Sequence, residues 1–128
     1  MTLKEIYSKC ASHPEGGWII NSYMAQKLYD FPKTKKITNV LELGGGIGCA
    51  TAIISLSLKE KGEPYHIDSV EQSDKCLNLA NELIPEELKE NITIHKSEVE
   101  IWQTDKIPYY HFSTYKTLPS KDYDLIVV

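Results

Sequence analysis

Leu41-Glu42-Leu43-Gly44-Gly45-Gly46-Ile47-Gly48 is the stretch on which the fold turns. Val40, Leu41 and Leu43 form a short apolar run of the kind a parallel strand buried on both faces requires, and it stops at the glycines. From Ile47 to Lys61 the pattern is helical, ending at Gly62. The segment therefore reads as strand, glycine turn and helix start. Glycines are needed there because the turn adopts backbone angles closed to other residues, and because a ligand must reach the main chain with no side chain between. Amides at the helix start favour an anionic or hydrogen-bond-accepting group.

Working outward, Tyr65 to Val70 is a second strand, and Ser73 or Asp74 caps a helix through about Leu83. Pro85 opens a helical turn through Lys89, Ile92 to Lys96 is a third strand, Glu98 to Gln103 a turn of helix, and Tyr123 to Val128 a fourth strand. Towards the N-terminus, Thr2 and Glu5 make a capping box for a helix reaching about Ala11. His13-Pro14-Glu15-Gly16-Gly17 is a turn, and Trp18 to about Tyr29 a second helix ended before Pro32. Strands alternating with helices predict an α/β fold with a parallel sheet and right-handed crossovers. The ligand site is then expected at the carboxyl ends of the strands, where the glycines, Glu71 and Ser97-Glu98 fall.

The glycine spacing discriminates between ligands. A dinucleotide GxGxxG counted from Gly44 needs Gly or Ala at position 49, which is Cys49; counted from Gly46 it needs one at 51, which is Thr51. A phosphate-binding GxxxxGK[ST] loop fails as well, since no Lys follows the glycines. What remains is ExGxGxG, with Glu42, Gly44, Gly46 and Gly48 at alternate positions.

With that motif the chain, from about Gly16 to Val128, resembles the class I S-adenosylmethionine-dependent methyltransferases, whose first motif is (D/E)xGxGxG at this turn. The resemblance implies a three-layer Rossmann-like sheet in strand order 3-2-1-4 with helices on both faces. It implies that Glu42 orients the amino group of the methionine moiety and that Gly44, Gly45, Gly46 and Gly48 border the cofactor. Glu71, at the end of the second strand, takes the place of the ribose-binding acid, and one carboxylate can accept from both ribose hydroxyls. Ser97 and Glu98 take the places of the small residue and the acid that bonds the adenine amine, though Asp is commoner there. The chain then divides into a helical entrance segment, 1–37, and an S-adenosylmethionine-binding half-domain, 38–128. Further strands are expected after the fourth, where this sequence stops, so the apolar Leu125-Ile126-Val127-Val128 is expected to form an open edge and the chain to pair as a homodimer.

Composition narrows the class. The 128 residues are 41% hydrophobic and 25% charged, the balance of one ordinary globular domain. No apolar run approaches the roughly 20 residues of a membrane span, and Lys4, Glu5 and Lys9 interrupt the first ten residues, so a cytoplasmic protein without a membrane partner is expected. Cys10, Cys49 and Cys76 are odd in number and lack any CxxC pair, so free thiols are expected and neither a disulfide framework nor a metal site is indicated. A net charge of -4 gives no indication of a nucleic-acid partner, and Lys33, Lys35 and Lys36 read as a solvated linker.

The sequence thus predicts a methyltransferase that transfers the methyl of S-adenosylmethionine to an acceptor, with a small hydroxylated molecule preferred from the entrance segment His13 to Trp18. A non-catalytic cofactor-binding module is the alternative, and an NAD-dependent oxidoreductase is disfavoured by the glycine spacing. No catalytic side chain is assigned: His111 has no partner at a recognisable spacing. The aromatic stretch Tyr109 to Tyr115 reads as a loop packed on the sheet edge, or else as a wall over the ligand.

Overall fold

The computed structural model describes residues 1–103 and 111–128. Among these, six strands occur: β1 (Asn39–Leu43), β2 (His66–Glu71), β3 (Ile92–Lys96), β4 (Val99–Gln103), β5 (His111–Tyr115) and β6 (Leu125–Val127). Four of them form a parallel sheet in the order β3-β2-β1-β6, with Val40 opposite Ile67 and Leu125, and Ile67 opposite Ile92. This is the expected order, β6 being the fourth strand of the sequence reading.

Four α-helices accompany the sheet: α1 (Leu3–Ala11), α2 (Ser22–Asp30), α3 (Cys49–Lys61) and α4 (Asp74–Leu83). The capping box forms as expected: Glu5 N donates to Thr2 Oγ1 at 3.2 Å and Thr2 N to Glu5 Oε2 at 2.8 Å. Ser73 caps α4 through Cys76 N. The second helix starts later than its apolar pattern suggested, because Gly16–Trp18 is a 3₁₀ turn and Asn21 accepts from Met24 N to open α2. Pro32 lies buried in a 3₁₀ turn, Phe31–Thr34, that continues from it. α3 begins at Cys49 because Gly48, at φ +89°, is left-handed.

The segment from Glu98 to Gln103 corrects the expected turn of helix. From Val99 it is strand β4, paired antiparallel with β5 so that Val99 faces Tyr115 and Ile101 faces Ser113. The period of two in Val99, Glu100 and Ile101 carries that strand, and five residues are too few to sustain helix without a packed face. Tyr109 and Tyr110 of the aromatic stretch lie outside the described residues.

Alternation along the strands sorts the two sheet faces. Val40 and Ile67 pack with Ile54 and Leu58 of α3, and Glu42 and Ser69 point the same way. Outside α3, Ile6 and Cys10 of α1, Ala25 of α2 and Ala80 and Leu83 of α4 close over Ala52, Ile53 and Leu56. The central helix is consequently buried all round, as its apolar sequence demands. Truncating Ile53, which is fully buried, to Ala would cost about 2–5 kcal/mol. The described helices gather on this face, while the other carries His66, Asp68, Thr93 and His95.

Candidate functional site

The glycine turn hangs from the ends of β1 and β2. Gly44 N and Gly45 N both donate to Val70 O, at 2.8 and 3.2 Å, which folds the chain back over its neighbour strand. Gly46 N donates to Glu71 Oε1 at 3.0 Å, and the other oxygen of that carboxylate accepts from Gln72 N at 2.6 Å and Ser73 N at 2.7 Å. Glu71 is thus clamped between the turn and the start of α4.

Gly44 and Gly46 have φ of +83° and +55°, and a Cβ built on Gly46 would meet nothing within 4 Å. Open space lies against that backbone. Gly45 is different: a Cβ there would stand 2.2 Å from Ser69 Oγ and 3.3 Å from Glu42 Oε1, so only glycine lets the turn close over those side chains.

Beneath Gly45, Glu42 is buried, its Oε1 accepting from Thr51 Oγ1 and, at 2.7 Å, from Ser69 Oγ. Burial raises its pKa, the bonds from Thr51 and Ser69 oppose that rise, and the charge of Glu71 adds to it. Thr51, one of the two residues that break the dinucleotide spacing, thus helps anchor this carboxylate.

A cavity of about 300 Å³ opens beside the turn, bounded by Gly44, Gly45, Gly46 and Glu71. Ile47 of the turn, Cys49 and Ala50 at the α3 start, Lys75, Cys76 and Leu79 of α4, and Glu15, Trp18, Ile19 and Ile20 complete its wall. Glu15 and Lys75 form an ion pair at 2.6 Å, and Trp18 is 96% exposed. The entrance segment noted in the sequence therefore reaches the cavity, whereas Lys75, Cys76 and Leu79 carry no motif and could only be placed once α4 was packed.

Of the eight residues implied by the resemblance, Gly44, Gly45, Gly46 and Glu71 are brought together on this cavity and four are not on its wall. Glu42 lies behind the turn. Gly48 faces the core, where a Cβ would come within 2.8 Å of Ile84 Cγ1. Ser97 is buried, its Oγ accepting from Thr117 N at 3.0 Å. The Glu98 side chain is 76% exposed and pairs with Lys116 at 3.4 Å. Cys10, Cys49 and Cys76 are free thiols, and no group of His, Cys, Asp and Glu among the described residues could hold a metal.

A parallel sheet in the order β3-β2-β1-β6 with a glycine turn after β1 defines a Rossmann-like, cofactor-binding class of domain. The model of the protein-L-isoaspartate (D-aspartate) O-methyltransferase family matches residues 7–117, and the chain belongs to that family. No curated protein sequence matches significantly. Among solved structures, the chain is similar to the SAH-bound methyltransferase PaMTH1 of Podospora anserina, with a TM-score of 0.64 at 13% identity over 75% of this chain and 41% of that one. It is also similar to the SAH-bound O-methyltransferase of Bacillus cereus, with a TM-score of 0.59 at 18% identity over 73% of this chain and 42% of that one. The O-methyltransferase TomG of Streptomyces achromogenes, solved with SAM, gives a TM-score of 0.59 at 12% identity over 73% and 41%. At these identities the likeness is one of fold, and the chain spans about two fifths of the length of each.

Proposed function

We propose that this chain binds S-adenosylmethionine against the Gly44–Gly46 turn and serves methyl transfer to an oxygen nucleophile. The observation that carries the reading is the open glycine turn bonded to the Glu71 carboxylate at the ends of adjacent parallel strands. The residues fit the cofactor: the turn leaves its backbone uncovered at Gly46, and a fixed carboxylate stands one strand away. When bound, the cofactor supplies a methyl group on a sulfonium.

Gly44, Gly45 and Gly46 allow the methionine end to lie on the main chain, and Glu71 accepts from the ribose. Glu42, Gly48 and Ser97 hold the turn, the helix packing and the β3 end from behind. Ile19, Ile20, Ile47 and Leu79 give the cavity an apolar wall that excludes water, which favours a reaction whose charge disappears in the transition state. Catalysis of this kind is mostly positioning.

The relatives solved with SAH or SAM support this choice of cofactor. We take the acceptor to be a small hydroxylated molecule, a choice supported by the entrance segment on the cavity wall. Titration with S-adenosylhomocysteine tests the binding. Transfer of labelled methyl to a catechol, compared with an isoaspartyl peptide of the kind the family's description names, tests the acceptor.

Two further proposals concern the whole chain. Free cysteines support a reducing, cytoplasmic setting. Homodimer formation is the other proposal, and light scattering at micromolar concentration tests it.

A further inference from the structure

The β4–β5 hairpin lies between β3 and β6 along the chain, and its base is stitched to the sheet. Ser97 N donates to Glu71 O at 3.1 Å, Lys116 N to Glu98 O at 2.9 Å and Thr117 N to Ser97 Oγ. The two side chains at that base point opposite ways. Glu98 turns outward to Lys116, while Tyr115 turns inward across the strand ends, its hydroxyl 3.6 Å from where a Cβ on Gly44 would stand.

That hydroxyl lies in a particular polar setting. Burial, followed by the charges of Glu71 and Glu42, raises its pKa, so it keeps its proton. The amides of Gly44, Gly45 and Gly46 are engaged by Val70 O and Glu71, and the Lys75 ammonium is engaged by Glu15. The carboxylates beside it can only accept. Lys75 keeps further N–H groups on the α4 side of the cavity, and on the hairpin side of the turn a ligand's acceptor atoms meet the neutral phenol of Tyr115 as donor.

We propose that Tyr115 is a binding residue of the cofactor crevice, its ring walling the side of the glycine turn that faces the hairpin and its hydroxyl donating to an acceptor atom of the bound cofactor. The inference rests on the cofactor reading above. It gives Tyr115 the second of the two readings of the aromatic stretch, a wall over the ligand.

The test is calorimetric titration of S-adenosylhomocysteine into the wild type, Tyr115→Phe and Tyr115→Ala, with fluorotyrosine incorporated at position 115 as a second reporter. Loss of the hydroxyl alone is expected to weaken binding by about three- to tenfold, the scale of one neutral hydrogen bond, and loss of the ring by more. The fluorine resonance should move when S-adenosylhomocysteine is added. If the wild type binds and both variants bind equally well or tighter, with the resonance unmoved, the inference is overturned while the cofactor reading stands. If the wild type does not bind, the cofactor reading fails and the inference falls with it. Should Tyr115→Ala not fold, Tyr115→Phe and the fluorine signal decide.

Discussion

Gly46 N donates to Glu71 Oε1 at 3.0 Å, so the glycine turn of β1 and the acid that ends β2 form one unit. With Gln72 N and Ser73 N on the other oxygen, three of the carboxylate's roughly four acceptor positions are filled by backbone. About one is left for a ribose hydroxyl, and a second opens only if one of these three donors lets go.

Glu71→Ala is therefore expected to act twice. It should weaken S-adenosylhomocysteine by about 1.5–3 kcal/mol, the scale of hydrogen bonds to a charged group, and also lower the melting temperature because three backbone donors lose their partner. Calorimetry and a thermal melt on the same variant measure both. A loss of affinity with no loss of stability would mean that the clamp contributes nothing to the fold.

Glu98→Ala is expected to leave affinity within about 0.5 kcal/mol of wild type, because that side chain is an exposed partner of Lys116. A variant weaker than Glu71→Ala would show that the hairpin base rearranges to bring Glu98 onto the adenine.

Gly48→Ala tests a glycine that serves packing. At φ +89° an added Cβ costs about 1–2 kcal/mol, and it would stand 2.8 Å from Ile84 Cγ1 and 3.1 Å from Ala80 Cβ. Overpacking adds about 1–3 kcal/mol. Chemical denaturation should show the sum as a loss of stability; an unchanged midpoint would contradict the packing described here.

The face of the sheet away from α3 predicts an acid transition. Burial alone would raise the pKa of Asp68, but bonds from Lys121 at 2.9 Å, His95 at 2.8 Å and Tyr123 at 2.9 Å bring it down to about 2. Since the folded pKa lies below the ordinary 3.8, the stabilisation is full above that value and is lost as pH falls through about 2. Asp68→Asn should flatten the melting temperature across that window. An equally steep acid decline in the variant would assign the transition to other carboxylates.

How far the sequence could be read follows from which features are local. Strand β3 and the caps at Thr2 and Ser73 depend on residues within a few positions, and their patterns are explicit. The Gly44–Gly46 turn was legible for the same reason, since its strained angles dictate the residue type. Glu42 and Ser97 were identified by position in a motif, but whether a carboxylate or hydroxyl faces ligand or core depends on Thr51, Ser69 and Thr117 arriving from elsewhere. The β4–β5 pairing escaped because its partner strand lies beyond residues 104–110 with no short turn signal to announce it.

Titration of the purified chain with S-adenosylhomocysteine and, separately, with NAD, in the wild type and in Gly46→Val, tests the central claim most directly. The side chain of Gly46→Val would project into the open space along the turn, at a strain of about 1–2 kcal/mol that the fold can bear. The account predicts one S-adenosylhomocysteine site in the wild type, no NAD binding, and loss of the site in a Gly46→Val protein that still melts cooperatively. Binding of NAD without S-adenosylhomocysteine, or undiminished S-adenosylhomocysteine affinity in Gly46→Val, would contradict it.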